Sequence, residues 1–100
     1  MFGLKSMFGA SVDYAQLVKD GAIIVDVRSK GEFASGHIKG SKNIPLDVLQ
    51  GQIASLKKQN KTVITCCASG MRSGSAKSLL NQHGIDCHNG GGWRSLESKI

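Results

Sequence analysis

Short apolar runs alternate along the chain with segments whose apolar residues recur at helical spacing. Residues 22–27 and 61–66 are rich in β-branched residues without polar alternation, which is typical of strands buried on both faces of a sheet. Helical spacing of apolar residues predicts helices over residues 11–21, 46–59 and 72–83. Because strands and helices alternate, the pattern predicts an α/β fold with a mainly parallel sheet.

Shorter elements fill the rest of the chain. Residues 30–35 are expected to form a short helix, and residues 43–45 a brief strand that Pro45 ends. A further strand is expected over residues 85–89, followed by a turn at residues 90–92 and a short helix over residues 93–99.

The length of 100 residues fits one small domain. We expect residues 1–10 to form a short N-terminal extension and residues 11–100 a single domain, in which Ser11 caps the first helix and Gly21 ends it. Three cysteines, two of them adjacent, make a poor disulfide framework and favour a reducing compartment. No apolar run approaches the roughly 20 residues of a membrane span, and no secretory signal is recognisable, so we expect a cytoplasmic protein without membrane contact.

The charge balance is basic, with 13 Lys and Arg residues against 7 Asp and Glu, a net charge of +6. The cations are scattered, and aromatic residues are not interleaved with them as a stacking platform for bases requires. We therefore expect no nucleic-acid partner. A basic protein instead favours small anionic substrates.

The segment after the second buried strand carries the clearest chemistry. In parallel sheets, functional loops follow the carboxyl ends of strands, and Cys67 stands where such a strand meets the next helix. Unpaired amides and the dipole at a helix start favour a thiolate, and Arg72 adds a positive charge. Ala68, Ser69 and Gly70 are small enough for the backbone to curl around an anion. The pattern predicts a cysteine nucleophile at Cys67.

The other polar candidates are open to structural interpretations. Cys87 is expected to be an inert core residue, and Cys66 to point to the opposite side of its strand from Cys67. A hypothesis in which Cys66 resolves an oxidised Cys67 is weakened because a vicinal disulfide is strained. Arg28 either reaches the same face as the loop or, like Asp26, hydrogen-bonds nearby backbone and loop, and His37 is interpreted as a packed, hydrogen-bonded histidine.

Three blocks of sequence together resemble the rhodanese-like family. The run from Cys67 to Ser73 resembles that family's Cys-x-Ser-Gly-x-Arg-Ser loop. Residues 24–46 resemble its Asp-Val-Arg…Glu-Tyr…Gly-His-Ile-x-Gly-Ala…Asn-Ile-Pro signature, and residues 91–93 its Gly-Gly-Trp. The blocks stand in family order, and the departures are Phe33 for tyrosine, Ser41 for alanine, and Cys66 where an aromatic residue often precedes the nucleophile.

The resemblance implies a three-layer rhodanese-like sandwich and a thiosulfate sulfurtransferase. Cys67 would take sulfane sulfur from thiosulfate or a similar anionic donor as a persulfide. It would pass this sulfur to cyanide or to a thiol acceptor, such as a thioredoxin-like or another sulfur-relay protein. The implied substrate-binding residues are the remainder of the loop: Ala68, Ser69, Gly70, Met71, Arg72 and Ser73. The implied chemistry needs no metal and no organic cofactor.

Two rival functions use the same loop. One is a persulfide carrier or redox partner that delivers sulfur to another protein. The other is a cysteine-based phosphatase or arsenate reductase, whose loop has the spacing Cys-x5-Arg. Counting from Cys66 to Arg72 gives that spacing, whereas counting from Cys67 gives the shorter Cys-x4-Arg loop of sulfur transfer. The position of the glycine and of the Arg-Ser pair favours the count from Cys67.

Overall fold

The computed structural model describes residues 12–100 and has a four-stranded sheet at its centre. The strands are β1 Ile23–Asp26, β2 Lys42–Asn43, β3 Val63–Cys67 and β4 Cys87–Gly92. Their order across the sheet is β2-β1-β3-β4, and each neighbouring pair is parallel. The predicted α/β fold with a mainly parallel sheet is confirmed.

Helices precede, connect and follow the strands. They are α1 Tyr14–Lys19, α2 Lys30–Ser35, a 3₁₀ helix Leu46–Gln52, α3 Ile53–Gln59, α4 Met71–Gln82 and α5 Trp93–Glu97. The cap of α1 is Asp13, whose carboxylate accepts a hydrogen bond from the Gln16 amide. Ser11, which the sequence favoured as this cap, lies outside the described residues. Gly21 follows the end of α1 at φ +103°, as a helix stop requires.

Several element ends differ from the sequence-based prediction. Helix α2 has the bounds that were predicted, and its capping box between Ser29 and Glu32 explains why so short a helix is stable. The expected strand at residues 43–45 is instead β2, which starts one residue earlier and ends two residues earlier. The expected helix over residues 46–59 starts as a 3₁₀ helix before it becomes α3. None of the helices described within residues 12–100 is long and apolar enough to cross a membrane.

Helices cover both faces of the sheet and give the domain three layers. On one face, Val25, Val63 and Cys67 pack with the 3₁₀ helix, α3 and α4. On the other face, Ile24 and Cys66 pack with α1 and α5. Because successive side chains of a strand point to opposite faces, the two adjacent cysteines belong to different cores.

Strand β4 contains the three glycines that were expected to form a turn, so that prediction is wrong. Thr65 pairs with Asn89 and Cys67 pairs with Gly92, so β4 has one more residue than β3 between these two pairs. This irregularity is a β-bulge, which lets pairing continue and redirects the side chains next to it.

Close packing explains the first glycine of this run, Gly90. A Cβ atom on Gly90 would lie 2.8 Å from Leu96 Cδ2 and 2.9 Å from both Ile64 Cγ2 and the Thr65 carbonyl oxygen. These contacts are shorter than side chains tolerate, so the strand can lie against α5 only where a side chain is missing. Gly90 therefore allows close packing of β4 against β3 and α5.

Candidate active site

A three-residue loop, residues 68–70, joins the carboxyl end of β3 to α4 and encloses Cys67. The loop turns through Gly70, whose φ of +104° is a left-handed conformation that side chains disfavour. Strand β3 extends through Cys67, one residue further than predicted, and Cys67 is fully buried. The nucleophile predicted from the sequence therefore lies beneath the loop, at the start of α4.

The loop directs polar hydrogens at the Cys67 sulfur. The Gly70 amide lies 3.0 Å from Sγ, and the Ser73 amide lies 3.4 Å away. Ser73 Oγ is also 3.4 Å from Sγ and accepts the thiol hydrogen in this arrangement. Burial raises the pKa of Cys67, but the Ser73 side chain and the amides of Ser73, Gly70 and Ser69 lower it, and the net effect is a lowered pKa. The site thus favours a thiolate in a water-poor setting.

Cys66 and Cys87 have the opposite electrostatic character. Cys66 lies on the other face of β3, where burial raises its pKa to about 12, with the nearby Asp26 charge adding to the effect. Burial likewise raises the pKa of Cys87 to about 11, in agreement with the predicted core role. The loop therefore encloses Cys67 rather than Cys66. The Cys-x5-Arg spacing would require the Cys66 thiol under the loop, but that thiol lies on the other face of β3. All three thiols are free.

Arg72 forms a two-point ion pair with Glu32 at the surface. Its Nη1 lies 2.7 Å from Glu32 Oε1 and its Nη2 lies 3.0 Å from Oε2. The Arg72 hydrogen bond lowers the pKa of Glu32 to about 2. Within the described residues, the hydrogen bonds of Arg72 go to Glu32, and its influence on Cys67 is a longer-range attraction between charges. Sequence reasoning quoted Glu32 as part of a motif without giving it a role.

The remaining loop residues differ in what they present to the sulfur. Ser69 contributes its backbone amide. Ala68 is exposed, and its carbonyl oxygen would lie 2.9 Å from a Cβ on Gly92, so the loop packs directly on β4. Met71 is 82% exposed and points away from the buried site. Of the predicted set, Ser69, Gly70 and Ser73 therefore contact the sulfur, mainly through the backbone, whereas Met71 and the Arg72 side chain are directed elsewhere.

Two grooves lie near opposite ends of the sheet. One, of about 590 Å³, borders Arg72 and has an apolar floor with a cation and a carboxylate at its edge. Its lining residues are Val27, Ser29, Lys30, Pro45, Leu46, Asp47, Val48 and Arg72. The other, of about 410 Å³, includes Lys61 and Thr62 just before β3 and contains no residue of the loop. Of these two grooves, the first is the one that Arg72 lines, next to the first turn of α4.

Sequence reasoning missed Asn89, which contacts the loop from β4. Its Oδ1 accepts hydrogen bonds from Ser73 Oγ at 2.6 Å and from the Gly91 amide at 2.9 Å. Its Nδ2 donates to the Gly70 carbonyl oxygen at 3.1 Å. A polar residue within a strand predicted to be buried was the available signal, but the following glycines made the segment resemble a turn.

Arg28 and His37 hold structure around the site. Arg28 is buried and pairs with the fully buried Asp26 at 2.7 Å, and it also donates to the Gly36 carbonyl oxygen. His37 Nδ1 lies 2.7 Å from the Phe33 carbonyl oxygen, and the two rings stack with centroids 3.7 Å apart. These contacts favour the structural interpretation of both residues. Among residues 12–100, no group of three metal-ligating side chains comes together.

Comparison with known proteins places the chain in a family. The family model described as Rhodanese-like domain matches residues 11–99. The chain is 34% identical over 74 residues to Thiosulfate sulfurtransferase PspE of Escherichia coli, covering 72% of this chain and 71% of PspE. It is 36% identical over 81 residues to the Uncharacterized protein YqhL of Bacillus subtilis, covering 79% of this chain but only 64% of YqhL.

A solved structure agrees with this assignment. The crystal structure of a rhodanese-like domain protein from Staphylococcus aureus superimposes with a TM-score of 0.68 at 32% identity, covering 93% of this chain and 83% of that one. The chain belongs to the rhodanese-like domain family, and its three-layer fold is that of the family.

Proposed function

We propose that this protein is a sulfurtransferase that carries sulfane sulfur as a persulfide on Cys67. The observation that carries the proposal is the arrangement of the Gly70 and Ser73 amides around a cysteine with a lowered pKa. Similarity to a named thiosulfate sulfurtransferase at 34% identity supports the same chemistry. Free thiols at all three cysteines fit the reducing, cytoplasmic setting expected from the sequence.

The first half of the reaction makes the persulfide. The Cys67 thiolate attacks the outer sulfur of thiosulfate, a new S–S bond forms, and sulfite leaves with the electron pair of the broken S–S bond. The outer sulfur of the product is anionic, and the loop amides are the donors able to stabilise it. Arg72 attracts the anionic donor toward the loop, while Glu32 limits that attraction.

The second half of the reaction passes the sulfur on. A thiolate or cyanide attacks the outer sulfur, and Cys67 leaves as a thiolate, which the same hydrogen bonds stabilise. The groove beside Arg72 is the proposed approach for this acceptor. A thiol acceptor, such as a thioredoxin-like or another sulfur-relay protein, is the partner class we propose.

Intact-mass measurement after incubation with thiosulfate tests the proposal. We expect the protein to gain one sulfur, about 32 Da, and to lose it again on addition of cyanide or a thiol. Cys67→Ala should abolish the gain, whereas the matched variant Cys66→Ala should retain it. A wild-type protein that gains no sulfur, or a gain that survives in Cys67→Ala, contradicts the assignment.

A further inference from the structure

The side chain of Asn89 links three parts of the candidate site. It reaches Ser73 in the first turn of α4, Gly70 in the loop, and Gly91 beyond the bulge of its own strand. The residue lies opposite Thr65 in the sheet, and its amide nitrogen packs closely against Gly74 of α4. Apart from Cys67 itself, no other described side chain hydrogen-bonds to both Gly70 and Ser73, the two residues whose amides lie nearest the Cys67 sulfur.

We propose that Asn89 is a positioning residue, which holds the Gly70 and Ser73 groups in the orientation needed to contact the Cys67 sulfur. It acts through these two residues and does not touch the sulfur itself. The inference deepens the proposed function, since a persulfide carrier on Cys67 needs the thiolate that these groups stabilise.

The single hydroxyl hydrogen of Ser73 is the reason why its orientation needs control. Serine within a helix readily donates to a carbonyl three or four residues earlier, which would turn the hydroxyl away from the sulfur. Asn89 Oδ1 competes for that hydrogen at 2.6 Å and keeps Ser73 Oγ beside the thiol. When the thiol ionises, the hydrogen can turn from Asn89 Oδ1 to the sulfur, and Oδ1 still accepts from the Gly91 amide. This exchange gives up one hydrogen bond, so the effect assigned to Asn89 comes from the positions in which it holds Ser73 Oγ and the Gly70 amide.

The same residue restrains the loop at Gly70. Gly70 has the left-handed conformation that directs its amide at the sulfur, and its carbonyl oxygen accepts from both Asn89 Nδ2 and the Gly74 amide. The side-chain amide supplies, from two separate atoms, an acceptor for Ser73 and a donor for Gly70. Aspartate is nearly the same shape, yet it has no hydrogen to donate to Gly70 when ionised.

Alkylation of the native thiol across a range of pH tests this inference without any sulfur donor. Iodoacetamide reports the thiolate of Cys67 because burial raises the pKa values of Cys66 to about 12 and of Cys87 to about 11. In Asn89→Ala we expect the midpoint of the pH profile to move to higher pH and the rate at neutral pH to fall about tenfold. The charge of Arg72 is unchanged in this variant, as is the neutral Cys66 on the other face.

Tyr14→Phe is the matched control. The Tyr14 hydroxyl donates to the backbone carbonyl of Asn89 at 2.8 Å, so its removal deletes a hydrogen bond to the same residue without changing the Asn89 side chain. We expect lower thermal stability in Tyr14→Phe but an unchanged pH profile. An unchanged or lower midpoint in Asn89→Ala, or an equal change in both variants, would overturn the inference.

Two further variants keep the test decisive. If Asn89→Ala does not fold, Asn89→Ser provides a smaller change that still breaks the bond to Gly70, and it should move the midpoint in the same direction. In a Ser73→Ala background, the effect of Asn89→Ala should be smaller than in the wild type because the two residues act together. A displaced midpoint in a protein that takes no sulfur from thiosulfate would support the positioning role and contradict only the proposed function.

Discussion

Cys66 and Cys67 are neighbours in the chain and are equally buried, yet their thiols have opposite properties. Burial raises the pKa of both, to about 12 for Cys66, but the pKa of Cys67 is lowered overall. The difference is that Cys67 faces the first turn of α4, where amides and a hydroxyl point at its sulfur, whereas Cys66 faces an apolar cluster. Burial alone therefore makes a cysteine inert, and reactivity requires donors that replace the lost water.

The largest expected effect is on the native reactivity of the two thiols. At neutral pH, iodoacetamide should modify one thiol in the folded protein, because the thiolate is the nucleophile and only Cys67 has a lowered pKa. Mass spectrometry should find this modification abolished in Cys67→Ala and retained in Cys66→Ala. Modification of Cys66 in the folded wild type would contradict the predicted difference in reactivity between the thiols on the two faces of β3.

Alkaline stability should distinguish the same pair. Cys66 has a folded pKa of about 12 against 9.0 for an ordinary thiol. Between these values the thiol ionises in the unfolded chain but not in the folded one, so rising pH favours unfolding. The contribution of Cys66 to the free energy of unfolding therefore falls by about 1.4 kcal/mol per pH unit between roughly pH 9 and pH 12. Cys67 has a lowered pKa, so its contribution is fully present above the unfolded pKa and stays constant in this window.

Urea unfolding at several alkaline pH values measures this contrast. The free energy of unfolding should decline less steeply in Cys66→Ala than in the wild type, while Cys67→Ala should keep the wild-type slope. Equal slopes in all three proteins would show that Cys66 does not ionise on unfolding in the way its burial implies.

A substitution that disturbs packing in the apolar cluster around Cys66 should have a smaller effect on the free energy of unfolding. Gly90→Ala places a methyl group within 2.8 Å of Leu96 and 2.9 Å of Ile64, both in the cluster that contains Cys66. We expect a loss of about 2 kcal/mol in the free energy of unfolding, measured in urea. Gly31→Ala is the control, since its Cβ would meet nothing within 4 Å and alanine favours a helix. A neutral Gly90→Ala would mean that this core is loosely packed.

The smallest effect is expected at the ion pair on the Cys67 side. The Arg72 and Glu32 side chains are 39% and 38% exposed, and water screens such pairs, so Glu32→Gln should change the unfolding free energy only slightly. Without the carboxylate, the positive charge of Arg72 acts more strongly on the loop. We expect the KM for thiosulfate to fall about two- to threefold and the Cys67 alkylation midpoint to move to slightly lower pH.

A distant carboxylate provides the control for this pair. Glu97→Gln removes the same charge from the exposed surface of α5, and we expect it to leave the KM and the alkylation midpoint unchanged. A higher KM in Glu32→Gln would mean that Glu32 holds Arg72 in a productive orientation instead of limiting its attraction for the donor.

Local chemistry explains which parts of the fold were predictable. The β-branched runs that became β1 and β3, and the short helix α2 with its Ser29 cap, depend on interactions between residues close in the chain. The glycines of β4 were misassigned to a turn because their pairing with β3, and the contacts of Gly90 with Ile64 and Leu96, join residues that sequence spacing does not connect. Asn89 was missed for the same reason, since its partners Gly70 and Ser73 come from another element.

The sequence by itself determined the order of strands and helices, the loop after β3 and the presence of a cysteine at its start. Those features follow from side-chain size, backbone freedom and hydrophobic spacing, which act over a few residues. The sequence also predicted that Cys66 and Cys67 point to opposite sides of their strand, whereas the tertiary structure decided that Glu32 and Asn89 complete the surroundings of the loop. These contacts join residues up to 40 positions apart, and only the packing of helices on both faces of one sheet brings them together.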